Sequence, residues 1–190
     1  MPNALPPTPD FASIEAKAPL TSDQRTYILA LIGNLTYAWS NNESVFIYLL
    51  MVLLESDFDA AAITFVSLNT TRARLDLIRR LAKAKVKDAE TIKRTERLID
   101  RFNECTRVRN ELNHSVYEVD DRGRITHTSL LKISETGSDV TYAASRPIDE
   151  ARIRQMSLTV KKLTKLNRDL WAFLPELQEK VRVRKVRAPA

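Results

Sequence analysis

The stretch Leu98-Ile99-Asp100-Arg101-Phe102-Asn103-Glu104-Cys105-Thr106-Arg107-Val108-Arg109-Asn110-Glu111-Leu112-Asn113-His114 decides how the rest of the chain is read. Within it Leu98, Phe102, Cys105, Arg109 and Leu112 follow one another in steps of four, three, four and three, the repeat of one helix face. Past His114 the period shortens to two. Val116 to Val119 alternates and runs into Asp120-Asp121-Arg122-Gly123, a turn in which the glycine can take positive φ. Arg124 to Ile133 is a second extended run, and Glu135-Thr136-Gly137-Ser138-Asp139 turns the chain again into Val140 to Ala143. The change of period predicts a helix that feeds directly into a small β-meander at about residues 116–144.

Upstream, Thr21-Ser22-Asp23-Gln24 has the form of a capping box. It opens a first helix carrying Ile28, Leu31, Ile32, Leu35 and Trp39, then Phe46, Ile47, Leu50 and Leu54, with Asn41-Asn42 as an expected bend or break. A turn at Glu55 to Asp59 leads to a second helix with the stripe Ile63, Val66, Thr70, Ala73, Leu77 and Leu81. Asp88 is placed to cap the third helix. Downstream, Pro147 and Asp149 begin a last helix with Ile153, Met156, Val160, Leu163, Leu166, Leu170 and Phe173, which Pro175 should bend or interrupt. The expected fold is mainly α: a four-helix up-and-down bundle with a small β-meander inserted between the third and fourth helices. Residues 1–20, proline-rich, read as a flexible leader, 21–178 as one domain, and 179–190 as a basic, disordered tail.

Composition removes most standard chemistries. Gly33, Gly123 and Gly137 are too far apart to build a dinucleotide fingerprint, a P-loop or a nucleophile elbow. The single Cys105 and the two histidines, His114 and His127, exclude cysteine zinc clusters and three-histidine metal sites, so no metal or other cofactor is expected. Cys105, on the apolar stripe, reads as a core residue, and His127 as a surface residue of an alternating strand. The longest apolar run, Val45 to Leu54, is ten residues, against about 20 for a membrane span. With no secretory pattern at the amino terminus, the expectation is a cytoplasmic protein without a membrane partner.

The net charge of +6 is unevenly distributed. Residues 1–71 hold two basic and seven acidic side chains, a net of −5, whereas residues 72–190 hold 28 and 17, a net of +11. A polyanionic partner suits this balance, because each neutralised phosphate releases counterions. A solvated helix face with a basic tail accounts for it equally well.

Arg109 stands where the helical stripe calls for an apolar residue. Its guanidinium keeps its proton, so it needs a carboxylate, a carbonyl or a polar cleft. Glu43 intrudes in the same way on the first helix, four residues from both Trp39 and Ile47. The expectation is an internal ion pair between Glu43 and Arg109. His114 shares a helix face with Asn110, while Arg109 and His114, five apart, point about 140° from each other on an ideal helix. A structural arginine and a helix-ending histidine also satisfy this spacing.

The segment Arg109-Asn110-Glu111-Leu112-Asn113-His114 resembles the R-x4-H signature of HEPN-domain proteins, in the form with asparagine directly after arginine. The stretch from Ser67-Leu68-Asn69-Thr70-Thr71 to Arg79-Arg80-Leu81 is similar to the helix preceding the motif helix in many of them. Members are mostly metal-independent endoribonucleases that bring two motifs into one cleft as dimers. The resemblance implies that Arg109 and His114 are catalytic with Asn110 supporting them, that the chain forms a homodimer, and that RNA is the substrate. Arg107 and Arg72 are weaker candidates for substrate contact. Tyr117 lies three positions after the histidine, where some toxin members have tyrosine at two. Other HEPN-like proteins are non-catalytic dimerisation or ligand-binding modules, and in that alternative Arg109 is a structural ion. Sequence-specific DNA binding has no helix-turn-helix or zinc module to support it.

Overall fold

The computed structural model describes residues 22–130, 133–136, 139–142 and 145–187. The leader expected over residues 1–20 lies outside them, as does Gly137 of the second expected turn. Among the described residues the protein is mainly helical: α1 (Ser22–Leu54), α2 (Phe58–Ser67), α3 (Thr71–Lys85), α4 (Ala89–Asn113) and α5 (Glu150–Arg187). Between α4 and α5 come β1 (Ser115–Val119), β2 (Ile125–Leu130), β3 (Ile133–Thr136), β4 (Asp139–Tyr142) and β5 (Ser145–Pro147). No described helix is long and apolar enough to cross a membrane.

Side-chain caps set the helix starts. Asp57 accepts the Ala60 amide at 2.8 Å and Thr70 that of Ala73 at 3.1 Å. Asp88 takes the Thr91 amide at 2.8 Å, as its sequence position predicts, and Asp149 takes that of Arg152 at 2.8 Å. Each cap satisfies a donor that the first helical turn leaves without a partner.

Four expectations need correction. α1 runs unbroken through Asn41-Asn42, because the buried Asn42 amide donates to the Ala38 carbonyl at 2.7 Å and the Leu163 carbonyl at 3.0 Å. The expected second helix is two, split at Leu68-Asn69-Thr70, and its supposed stripe residues Ile63 and Val66 are exposed while Leu75, Ile78 and Ala82 are buried. α5 is not interrupted at Pro175, and it carries the basic segment in helical form as far as Arg187. The meander is a three-stranded antiparallel sheet, β1-β2-β5, with a separate β3-β4 hairpin, so it holds an edge strand, β5, beyond those expected.

The chain divides into two compact units. The helical unit comprises residues 34–110 with 157–187 of the described chain. Phe46, Leu49, Leu53, Ile78, Ile99, Phe102, Leu166 and Phe173 form its core, and Trp39 and Phe46 both pack on Phe102, with centroids 5.4 and 5.2 Å away. Ion pairs line its flanks, including Lys83–Glu96 at 3.0 Å and Arg101–Asp169 at 2.7 Å. The sheet-bearing unit comprises residues 22–33 with 111–156. Among its described residues Ile28, Ile125 and Ile148 form one buried cluster, with Ile32, Tyr117 and Ile153 against it, and Leu112 and Met156 are buried as well. In the β1–β2 turn Gly123 has φ 80°, and Asp120 accepts the amides of Arg122 and Arg124 at 3.0 and 2.9 Å.

Candidate functional site

The segment Arg109–Asn113 forms the last residues of α4, and His114 follows directly. Arg109 is half-buried at the top of an aromatic column. Its guanidinium lies over the Trp39 ring, 4.2 Å from the centroid, and Trp39 stacks in turn on Phe102. The Trp39 Nε1–H donates to Thr106 Oγ1 at 2.8 Å, and that hydroxyl donates to the Phe102 carbonyl at 2.8 Å, so the indole beneath the cation is locked in orientation. Arg109 Nη1 donates to Asn110 Oδ1 at 3.0 Å. A guanidinium held over an aromatic face and anchored by a neighbouring amide is presented as an oriented fork, the geometry that phosphate oxygens accept.

The expected Glu43–Arg109 pair is corrected by the structure, which gives Glu43 another cation. Its Oε1 accepts from Arg74 Nη1 at 3.1 Å and from Thr71 Oγ1 at 2.7 Å. Arg74 Nε also donates to the carbonyls of Phe65 and Leu68, both at 3.0 Å, and the guanidinium lies over the Phe65 ring. This arginine therefore fastens the α2–α3 corner to α1. The physical reason is the break at residues 68–70, which starts α3 afresh and turns Arg74 toward Glu43.

Asn110 and His114 face solvent, as does Arg107. Arg72 is 93% exposed and makes only a loose pair with Asp76 at 3.9 Å. His127 lies in β2, paired in register with Glu118 on one side and Pro147 on the other. Cys105 is buried, and burial raises its thiol pKa.

Local hydrogen bonds explain why α4 stops at His114. The Ser115 hydroxyl donates to the Glu111 carbonyl and the Tyr117 hydroxyl to that of Leu112 at 2.8 Å, which satisfies acceptors of the last turn. Burial raises the Tyr117 pKa, with the positive charge of Arg152 opposing the rise, so it remains a protonated donor at neutral pH.

Sequence reasoning missed the partners of Glu111. Its Oε1 lies 2.9 Å from Arg146 Nη1 and 2.9 Å from Arg152 Nη2. Arg152 is buried and donates through Nη1 to Gln155 Oε1 at 2.6 Å. Among the described residues its Nε has no hydrogen-bond partner, and its Nη2 meets Glu111 as an ion pair without hydrogen-bond alignment. The signal was available: Arg152 stands four residues from both Ile148 and Met156, the same kind of intrusion that singled out Arg109.

Among the described residues no group of three or more His, Cys, Asp or Glu side chains is placed to hold a metal ion. Comparison with family models, with curated proteins and with solved structures finds no match.

Proposed function

We propose that the chain is a HEPN-like endoribonuclease that cleaves RNA without a metal ion, as a cytoplasmic homodimer built on a four-helix up-and-down bundle. The observation that carries this reading is the Arg109 guanidinium, held over Trp39 and bound by Asn110 Oδ1. Asn110 is the residue to which the motif gives a supporting part, and the hydrogen bond supplies the physical means. In the reaction the RNA 2′-hydroxyl oxygen attacks the adjacent phosphorus, its proton passes to a base, and the 5′-oxygen leaves with a proton from an acid. The products are a 2′,3′-cyclic phosphate and a 5′-hydroxyl. Arg109 stabilises the charge developing on the phosphate oxygens. His114, exposed at the end of α4, is the acid or base, since imidazole exchanges protons near neutral pH.

The second reading is a HEPN-like dimerisation or ligand-binding module without catalysis. It is favoured by Glu111, which ties the centre of the motif to Arg146 and Arg152 and gives the segment structural work. Incubation of purified wild type and His114→Ala with mixed RNA in EDTA separates the two. Cleavage by wild type that falls about 10²–10⁴-fold in the variant supports the nuclease. Equal behaviour of the two proteins leaves the module.

A further inference from the structure

A groove of about 180 Å³ opens in the helical unit between α1 and α5. Tyr37, Asn41 and Asn42 line it from α1, and Thr164, Asn167 and Arg168 from α5. Its volume is below the 300 Å³ or so of a drug-sized site and suits a single ring system. Tyr37 is 69% exposed, which leaves its ring face open to a planar ligand. At the other extreme Asn42 is 1% exposed, and its Nδ2 donates to two carbonyls while its Oδ1 has no hydrogen-bond partner among the described residues. That oxygen is itself closed to solvent, and the two carbonyls that hold the amide fix the floor of the groove. Asn167 Nδ2 reaches the Asn41 carbonyl only at 3.5 Å, a weak bond that a better acceptor can displace.

The two walls differ in charge. Residues 33–42 of α1 carry none, whereas residues 158–168 of α5 contain Lys161, Lys162, Lys165 and Arg168 and no acid. Lys162 pairs with Glu104 at 3.5 Å. Lys161, Lys165 and Arg168, in steps of four and three, form one exposed stripe with no ion-pair partner among the described residues. The stripe is about 10 Å long, roughly three nucleotides at stacked spacing.

We propose that this groove binds unpaired nucleotides, with the base stacked on Tyr37 over an amide floor and the phosphates along Lys161, Lys165 and Arg168. Aromatic stacking beside a cationic track is the means by which proteins hold single strands without reading their sequence. The same chemistry serves a free mononucleotide or a strand, and the assignment does not depend on the Arg109–His114 segment. The test uses the full chain carrying His114→Ala, so that RNA stays intact, and fluorescence anisotropy with a labelled eight-nucleotide single-stranded RNA. Tyr37→Ala should weaken binding about 5- to 100-fold. Replacing all three stripe cations by alanine should flatten the dependence of log Kd on log salt by about two. Lys93→Ala, on an exposed face of α4, should change affinity less than twofold. Unlabelled AMP and UMP displacing the octamer at equal concentration would identify the free nucleotide as the ligand, and displacement only by strands the single-stranded RNA. Three results would each overturn the proposal: unchanged affinity in Tyr37→Ala and Arg168→Ala, equal affinity for duplex RNA, or competition by polyglutamate as strong as by the octamer, which would assign the face to an acidic protein. Cleavage is not read, so failure here is separate from failure of the nuclease reading.

Discussion

The two units differ in what their described residues bury. In the helical unit large side chains do the work: Phe46, Phe102 and Phe173 are fully buried, and an aromatic column runs from Phe46 through Phe102 and Trp39 to the Arg109 guanidinium. In the sheet-bearing unit the described residues bury smaller side chains, Ile28, Ile125 and Ile148 in one cluster with Leu112 and Met156 also buried, and polar ties add to them. Gln24 donates to the Ile125 carbonyl at 3.0 Å and accepts the Ile125 amide at 3.3 Å, the exchange of a strand pair made by a side chain. Glu111 holds Arg146 and Arg152. Apolar burial is insensitive to alignment and scales with area, whereas polar ties depend on every partner being present. The motif segment spans this change, since Arg109 and Asn110 belong to the packed unit and His114 to the polar one.

The sharpest way to break the contrast is Phe102→Ala. Removing a ring that both Trp39 and Phe46 contact should cost about 3–5 kcal/mol in urea unfolding. A loss below about 1 kcal/mol would mean that the column is not the basis of that unit. Next is Glu111→Ala, which strands the buried Arg152. Buried pairs lose about 3–5 kcal/mol when one partner is removed; Glu111 keeps 20% of its side chain exposed, so about 2–3 kcal/mol is expected. Glu111→Gln should recover part of this by offering an oxygen without the charge. If Glu111→Ala melts like wild type, the polar account of the sheet-bearing unit is wrong.

The smallest effect is set by pH and falls on both units. Thr91, through its hydroxyl and its amide, holds the Asp88 carboxyl below the ordinary aspartate range, and the Arg124 amide and side chain do the same for Asp120. A carboxyl whose pKa is lower folded than unfolded contributes stability above the unfolded value of about 3.9, and loses it as pH falls through the folded value. NMR titration should therefore give both carboxyls midpoints under about 3.9, with the α4 start and the β1–β2 turn loosening below them. A midpoint at or above that value at either site would remove its cap from the account.

How far the sequence was legible depends on the range of the cause. Local causes were visible: the Asp88 cap, the Gly123 turn, and the switch from helical to alternating period after His114. Causes that act across the chain were not. Nothing near Asn42 shows that Leu163 offers it a carbonyl 121 residues away, so an unbroken α1 could not be read. The break at residues 68–70 was hidden because Thr70 fits an apolar stripe as well as it fits a cap, and that error in phase also concealed the Arg74–Glu43 pair. A three-residue edge strand such as Ser145–Pro147 is too short to show a period. Spacing placed Arg109 on the inner side of α4, but depth and partner depend on neighbouring helices, and its half-buried seat over Trp39 became visible only in the structure.

The most direct test of the central claim measures Arg109→Ala twice, by thermal melting and by RNA cleavage in EDTA. If Arg109 lines the proposed cleft, its loss removes a stacking contact over Trp39 worth about 1 kcal/mol together with its other local contacts, and the melting temperature should fall by only a few degrees. Cleavage should fall by about 10²-fold or more, as when a transition-state donor is removed. A variant that melts far below wild type, or that cleaves as well as wild type, would contradict the account and leave Arg109 a structural residue of α4.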